Sequence, residues 1–165
     1  MDDKKRHELI EKYKEGYAVV AEAVTGASDE QLDRRPAPGK WSGREIVHHL
    51  ADSEMTAAIR VRLLLAEDRP AIAGYHQDEF ARRLHYDRPI AKSLEAFKAA
   101  RDSTAELLEG LSPDEWRREG VHSELGRFSV ERWLEIDAEH AHKHAGQILA
   151  AMEGETGLVP GRSRG

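Results

Sequence analysis

Trp41-Ser42-Gly43-Arg44-Glu45-Ile46-Val47-His48-His49-Leu50-Ala51-Asp52-Ser53-Glu54 decides the fold class. Ser42 followed three residues later by Glu45 is a capping box, in which hydroxyl and carboxylate each satisfy a backbone N–H at a helix start. Apolar residues then recur at three- and four-residue steps through Ile46, Val47, Leu50, Ala57, Val61 and Leu64, which predicts a helix to about Glu67. Three other stretches carry this spacing. Leu9, Ile10, Tyr13, Tyr17, Val20 and Val24 predict a helix from about Lys4 to Val24, ended by Thr25-Gly26. Leu94, Phe97, Ala100, Thr104, Leu107 and Leu108 predict another from about Ile90 to Leu108. Trp133, Leu134, Ile136, Ala141, Ala145, Ile148 and Met152 predict a last one, with Ser129 as its N-cap.

Capping boxes at Ser28–Gln31 and Ser112–Glu115, the latter with Pro113 at the first helical position, mark short helical turns. Strand-like alternation is hard to find anywhere. The fold class is therefore all-α, and four helices of about 20 residues, each about 30 Å long, make a four-helix bundle the economical architecture. The connection from Asp68 to Pro89 contains Pro70, Gly74 and Pro89 and is long for a bundle loop. It predicts a crossover between helices lying side by side, with a short helical piece near Asp78–Leu84. Residues 1–153 read as one domain and residues 154–165 as a flexible tail.

Composition narrows the chemistry. The 165 residues include 31 Asp+Glu against 25 Lys+Arg, a net charge of −6, with nine His and no Cys. Without cysteine there is no disulfide, thiolate nucleophile or sulfur-ligated metal, so any metal must sit on nitrogen and oxygen. An acidic chain with interspersed basic residues lacks the footprint of a nucleic-acid binder. No apolar run approaches the roughly 18 residues of a membrane span, and the start, MDDKKRHELIEKYKEG, lacks the apolar core of a signal peptide. These features predict a cytoplasmic protein without nucleic-acid or membrane partners.

His140 and His144 are four residues apart, hence about 40° apart around a helix, and two imidazoles so placed can share one divalent cation. His142 points about 160° away from their midpoint. Metal sites that do chemistry usually take three protein ligands and keep a position open, so a third ligand should come from another helix. His48 and His49 are the candidates; they diverge by about 100°, and the apolar stripe lies modestly closer to His49. Asp52 and Asp137, three residues from His49 and His140, could orient a ligand's second nitrogen or simply face solvent.

The segment from Trp41 to Glu54 resembles the W-S-x-x-E-x-x-x-H-L-x-D-x-E signature of the DinB-like, or YfiT-like, bundle family. His140, His144, Gln147 and Ile148 resemble that family's H-x-x-x-H-x-x-Q-I ending, and Leu125-Gly126-Arg127-Phe128-Ser129 its lead-in to the last helix. The resemblance implies an up-down-down-up four-helix bundle, frequently a homodimer, with a divalent metal held by His49, His140 and His144. His48 and His142 fall outside the pattern. Three imidazoles suit Zn or Ni, and also Fe or Mn. Members with known activity include bacillithiol- or mycothiol-dependent S-transferases and a mycothiol-dependent maleylpyruvate isomerase.

The resemblance therefore implies a metal-dependent transferase that activates a low-molecular-weight thiol against a small-molecule electrophile, the sulfur arriving with the cosubstrate. The alternatives are a hydrolase using metal-bound water and a non-catalytic metal-binding or dimerisation protein. Glu54 and Gln147 are candidates for catalytic contact, and hydrolysis would need Glu54 or an acid of the last helix as general base. Trp41 is expected to pack at a helix entrance. Tyr75, His76, Tyr86 and His122 in the long loops could roof the cleft or serve loop packing. Arg82-Arg83 and Arg117-Arg118 are expected to be solvated surface.

Overall fold

Asp2, Ser28, Ser42, Ser112 and Ser129 each accept a backbone N–H from three residues onward, and each starts a helix. The computed structural model describes residues 1–154, so the predicted tail from residue 155 onward lies outside the described residues. Its long helices are α1 (Asp3–Val24), α3 (Gly43–Ala66), α5 (Ala91–Glu109) and α7 (Val130–Glu153). Short helices α2 (Asp29–Asp33), α4 (Gln77–Arg83) and α6 (Pro113–Trp116) lie in the connections. Among the described residues no helix is long and apolar enough to cross a membrane.

Contacts between long helices give their directions. Arg6 pairs with Glu131 and Lys12 with Glu139, so α1 and α7 run parallel. His48 meets Ser93 and Arg62 meets Thr104, so α3 and α5 also run parallel. Trp133 donates to Ala57 while His140 faces His49, which makes α7 antiparallel to α3. The order is up-down-down-up. Two consecutive parallel helices require the crossover that the long connection of residues 67–90 provides.

One sequence expectation needs correction: three short strands are present. β1 (Ala71–Ile72) in the crossover pairs in parallel with β2 (Glu119–His122), and β2 pairs antiparallel with β3 (Gly126–Ser129). The segment from Gly120 to Phe128, read as loop, is thus a hairpin, closed where Gly126 takes a φ of 70°. Two to four residues cannot display an alternation, and the partners of β1 lie about fifty positions away in the chain. The sheet pins the crossover to the α5–α7 connection at one end of the bundle.

A buried polar cluster joins all four long helices. Arg101 of α5 donates through Nε (3.0 Å) and Nη2 (2.7 Å) to Glu54 of α3, and through Nη1 to the Tyr13 carbonyl of α1. The Tyr13 hydroxyl donates to the other Glu54 oxygen, and Asp137 of α7 is buried beside the pair. Gly16 leaves room for the guanidinium: a Cβ there would run into Arg101 and lie 2.8 Å from the Ala141 Cβ. Gly16→Ala should therefore lose about 1–2 kcal/mol in urea denaturation, overpacking outweighing the helix-propensity gain of about 1 kcal/mol.

Candidate metal centre

The antiparallel packing of α3 on α7 brings His49, His140 and His144 together. One ring nitrogen from each can be chosen so that all three lie within 4.8 Å of one another. The rings meet edge-on, at interplanar angles of 74°, 65° and 87°, with Nε2 of His49 and Nε2 of His140 3.4 Å apart. An edge of about 3.3 Å follows from tetrahedral coordination at about 2.0–2.1 Å, so this separation suits one shared cation.

The electrostatics agree with that chemistry. Burial, with the charge of neighbouring imidazoles added, lowers His49 and His140 to about 3. Burial also lowers His144 to about 4, partly offset by the Gln147 side chain one turn on. At neutral pH all three are unprotonated, the form that ligates. Nδ1 of His49 and Nδ1 of His144 are buried without a protein partner among the described residues. Among the described residues no carboxylate orients either ring. Asp52 accepts the Tyr86 hydroxyl at 2.6 Å, and Asp137 lies inside the bundle, its carboxyl pushed up to about 8 by burial and by Glu54.

These shifts set a pH dependence for the metal-free protein. Below the ordinary imidazole value of 6.5 the unfolded chain takes up protons that the folded chain refuses, so stability falls as pH drops from 6.5 toward 4. Asp137 acts oppositely, because a folded value of about 8 against the ordinary 3.8 makes its burial costlier as pH rises. Three imidazoles outweigh one carboxyl below 6.5, and above it Asp137 remains. Thermal unfolding of chelator-treated protein should show maximum stability near pH 6.5; a maximum below about pH 5 would contradict the assignment.

The neighbouring histidines have other employment. His48 is fully buried: its Nε2 donates to the Arg88 carbonyl at 2.9 Å, so its Nδ1 accepts from the Ser93 hydroxyl at 2.7 Å. His142 bonds the Lys12 carbonyl at 2.9 Å on the other side of α7. Trp41, immediately before the N-cap Ser42, packs at the entrance of α3 as expected, and its ring, 4.9 Å from that of His49, also walls the site. Glu54 is buried and held by Arg101 and Tyr13; burial pushes its carboxyl up while Arg101 pulls it down.

Two clefts open on the three histidines. One, of about 510 Å³, is lined by His49, His140, Ser53, Arg60, Tyr75 and His122. The other, of about 630 Å³, is lined by Trp41, Ile46, Lys143, His144 and Gln147. They share His140 and the start of α4, Gln77 and Asp78. Tyr75, His76 and His122 thus do line the cleft, whereas Tyr86 is turned to Asp52 and His48. Arg82 and Arg83 are tied to Glu79, and Arg117 to Asp114. Arg60 and Asp78 went unnoticed in the sequence; Arg60 was findable, eleven residues after His49 and on the same face of α3.

The DinB superfamily model matches residues 12–148. The chain belongs to the DinB superfamily. A relative from Oceanobacillus iheyensis is 36% identical over 127 residues, covering 77% of this chain and 74% of that protein. One from Geobacillus thermodenitrificans is 34% identical over 133 residues, covering 78% and 73%. Both carry the provisional name of metal-dependent hydrolase. YfiT from Bacillus subtilis, described as a probable metal-dependent hydrolase with an unusual four-helix bundle topology, superposes with a TM-score of 0.87 at 27% identity. That match covers 93% of this chain and 89% of YfiT.

Proposed function

We propose that this superfamily member is a metal-dependent hydrolase of small molecules, holding a divalent ion on His49, His140 and His144. The convergence of three unprotonated imidazoles where two clefts meet carries this reading. Zn, Ni, Fe or Mn fits the donor set, and the ion would supply Lewis acidity and acidify a coordinated water to a pKa near ~7. The surrounding residues do the rest. Trp41 shields His49 from bulk solvent, and Gln147 contacts His144 from the next turn. Asp78 is exposed, lines both clefts beside His140 and is engaged by no hydrogen bond or ion pair among the described residues, so it is the carboxylate common to both clefts that can accept a proton from water. Glu54 holds Arg101 and Tyr13 and acts on the site only by fixing α3.

A second reading, transfer of a low-molecular-weight thiol such as bacillithiol or mycothiol to an electrophile, is favoured by the paired clefts. They give two reactants separate access to one centre, and a chain without cysteine takes its sulfur from a cosubstrate. The test is one experiment on chelator-stripped protein reloaded with each metal. Ester hydrolysis restored by metal without thiol supports the first reading. Conjugation of a model electrophile only when bacillithiol or mycothiol is present overturns it in favour of the second, and no turnover in either assay overturns both.

A further inference from the structure

We propose that Arg60 and His122 form a carboxylate-binding subsite in the cleft that opens on the three histidines, making the substrate an organic acid whose carboxylate lies several bonds from its reacting group. This rests on the three-histidine centre being the reacting end. His49, Ser53 and Arg60 follow one another along a single face of α3, since eleven residues overshoot three full turns by only about 20°. The rise along α3 between His49 and Arg60 is about 16 Å, which sets the two ends of the cleft several bonds apart.

Arg60 is held but not neutralised. Its Nη2 donates to the Ala73 carbonyl at 2.6 Å, and its guanidinium lies 5.6 Å from the Tyr75 ring. Its Nε is buried with no acceptor among the described residues, and no carboxylate there pairs with it. A partly buried cation in that condition gains from an incoming anion. Of the acids lining this cleft, Glu79 is engaged by Arg82 and Arg83, while Asp78 and Glu124 are exposed.

His122 supplies the second donor. Its Nδ1 accepts the backbone N–H groups of Glu124 (3.1 Å) and Leu125 (3.4 Å), so its proton must reside on Nε2. That N–H has no protein acceptor among the described residues, and the ring lines the cleft. Burial first, then the charge of Arg60, lowers the His122 pKa and keeps the ring neutral, a donor rather than a second cation. One cation beside one neutral N–H matches the single charge and two oxygens of a carboxylate.

Calorimetry on zinc-loaded protein with adipic monohydroxamic acid and its methyl ester separates the two ends, because the hydroxamate addresses the metal and only the free acid addresses the subsite. The acid should bind about tenfold tighter or better, as charge-assisted hydrogen bonds allow. Arg60→Met should erase that preference without changing the ester's affinity, and Arg60→Lys should retain part of it. Equal, measurable affinities of acid and ester in the parent protein overturn the subsite and leave the metal centre standing. If neither compound binds, the metal reading fails, and the decision passes to the metal-free protein titrated with hexanoate. A saturable shift of the His122 ring resonance, lost in Arg60→Met, upholds the subsite, and no shift overturns it.

Discussion

Substituting His49→Ala is expected to abolish stoichiometric binding of a divalent metal, while His142→Ala leaves it intact. Two imidazoles on α7 remain in the His49 variant, but the ion loses the one ligand supplied by another helix. The loss should exceed the ~10–100-fold that follows removal of a mere outer partner of a metal ligand. His142, two residues from both His140 and His144, bonds the Lys12 carbonyl away from the cluster, so its removal tests whether position rather than histidine content matters. The measurement is metal analysis of untagged protein, followed by competition against a chelating dye. Unchanged stoichiometry in His49→Ala would remove α3 from the site. Loss of metal in His142→Ala would mean the cluster had been assigned to the wrong face of α7.

Arg101→Met should destabilise the bundle by about 3–5 kcal/mol, the cost of breaking a buried ion pair by removing one partner. The guanidinium is fully buried and touches three other helices: Glu54 of α3, the Tyr13 carbonyl of α1 and, at 3.4 Å, the Asp137 carbonyl of α7. Methionine can fill part of the space beside Phe97 and Tyr13, but it leaves the Glu54 carboxylate with the Tyr13 hydroxyl alone. Against the 5–15 kcal/mol typical of a whole domain, at roughly that scale, the variant would be close to unfolding. Pairing the change with Glu54→Leu removes the stranded charge and should recover much of the loss. Urea denaturation of both variants decides it. A double variant no more stable than Arg101→Met would mean that the cost lies in lost packing rather than in an orphaned carboxylate.

The same cluster shows where residue-type reasoning stops. Glu54 follows His49 by five residues and has the chemistry of a general base, which makes it a candidate by residue type, although five residues carry it about 140° around α3 from that histidine. What removes it from that role is Arg101, 47 residues away, and Tyr13, 41 residues away. Asp137 is likewise withdrawn into the bundle, and Glu139 of the same helix is tied to Lys12. The acids left at the clefts are Glu124, at one of them, and Asp78, at both, the latter in a crossover helix whose place near His140 no periodicity reveals.

Local patterns, by contrast, were legible because their causes are local. Ser42 with Glu45, Ser112 with Glu115, and Ser129 start helices where they stand because a side-chain oxygen meets a backbone N–H three residues on. Apolar steps of three and four place α1, α3, α5 and α7, and the i,i+4 spacing alone puts His140 and His144 on one face. The choice between His48 and His49 was already weaker on the wheel. Packing settles it: the His48 ring is taken by Ser93 and Arg88 on the side of α5, and His49 is left facing α7.

By itself, then, the sequence determined the helical class, the helix starts and a histidine pair able to share a cation, all properties of a turn or two of chain. The likeness of its motifs to the DinB-like family already implied the up-down-down-up order and His49 as the third imidazole. Only the tertiary structure decided the β1–β2–β3 sheet, the buried partners of His48 and the withdrawal of Glu54. Each of those depends on segments tens of residues apart competing for the same buried volume, and burial sets both which polar groups are free and which protons they carry.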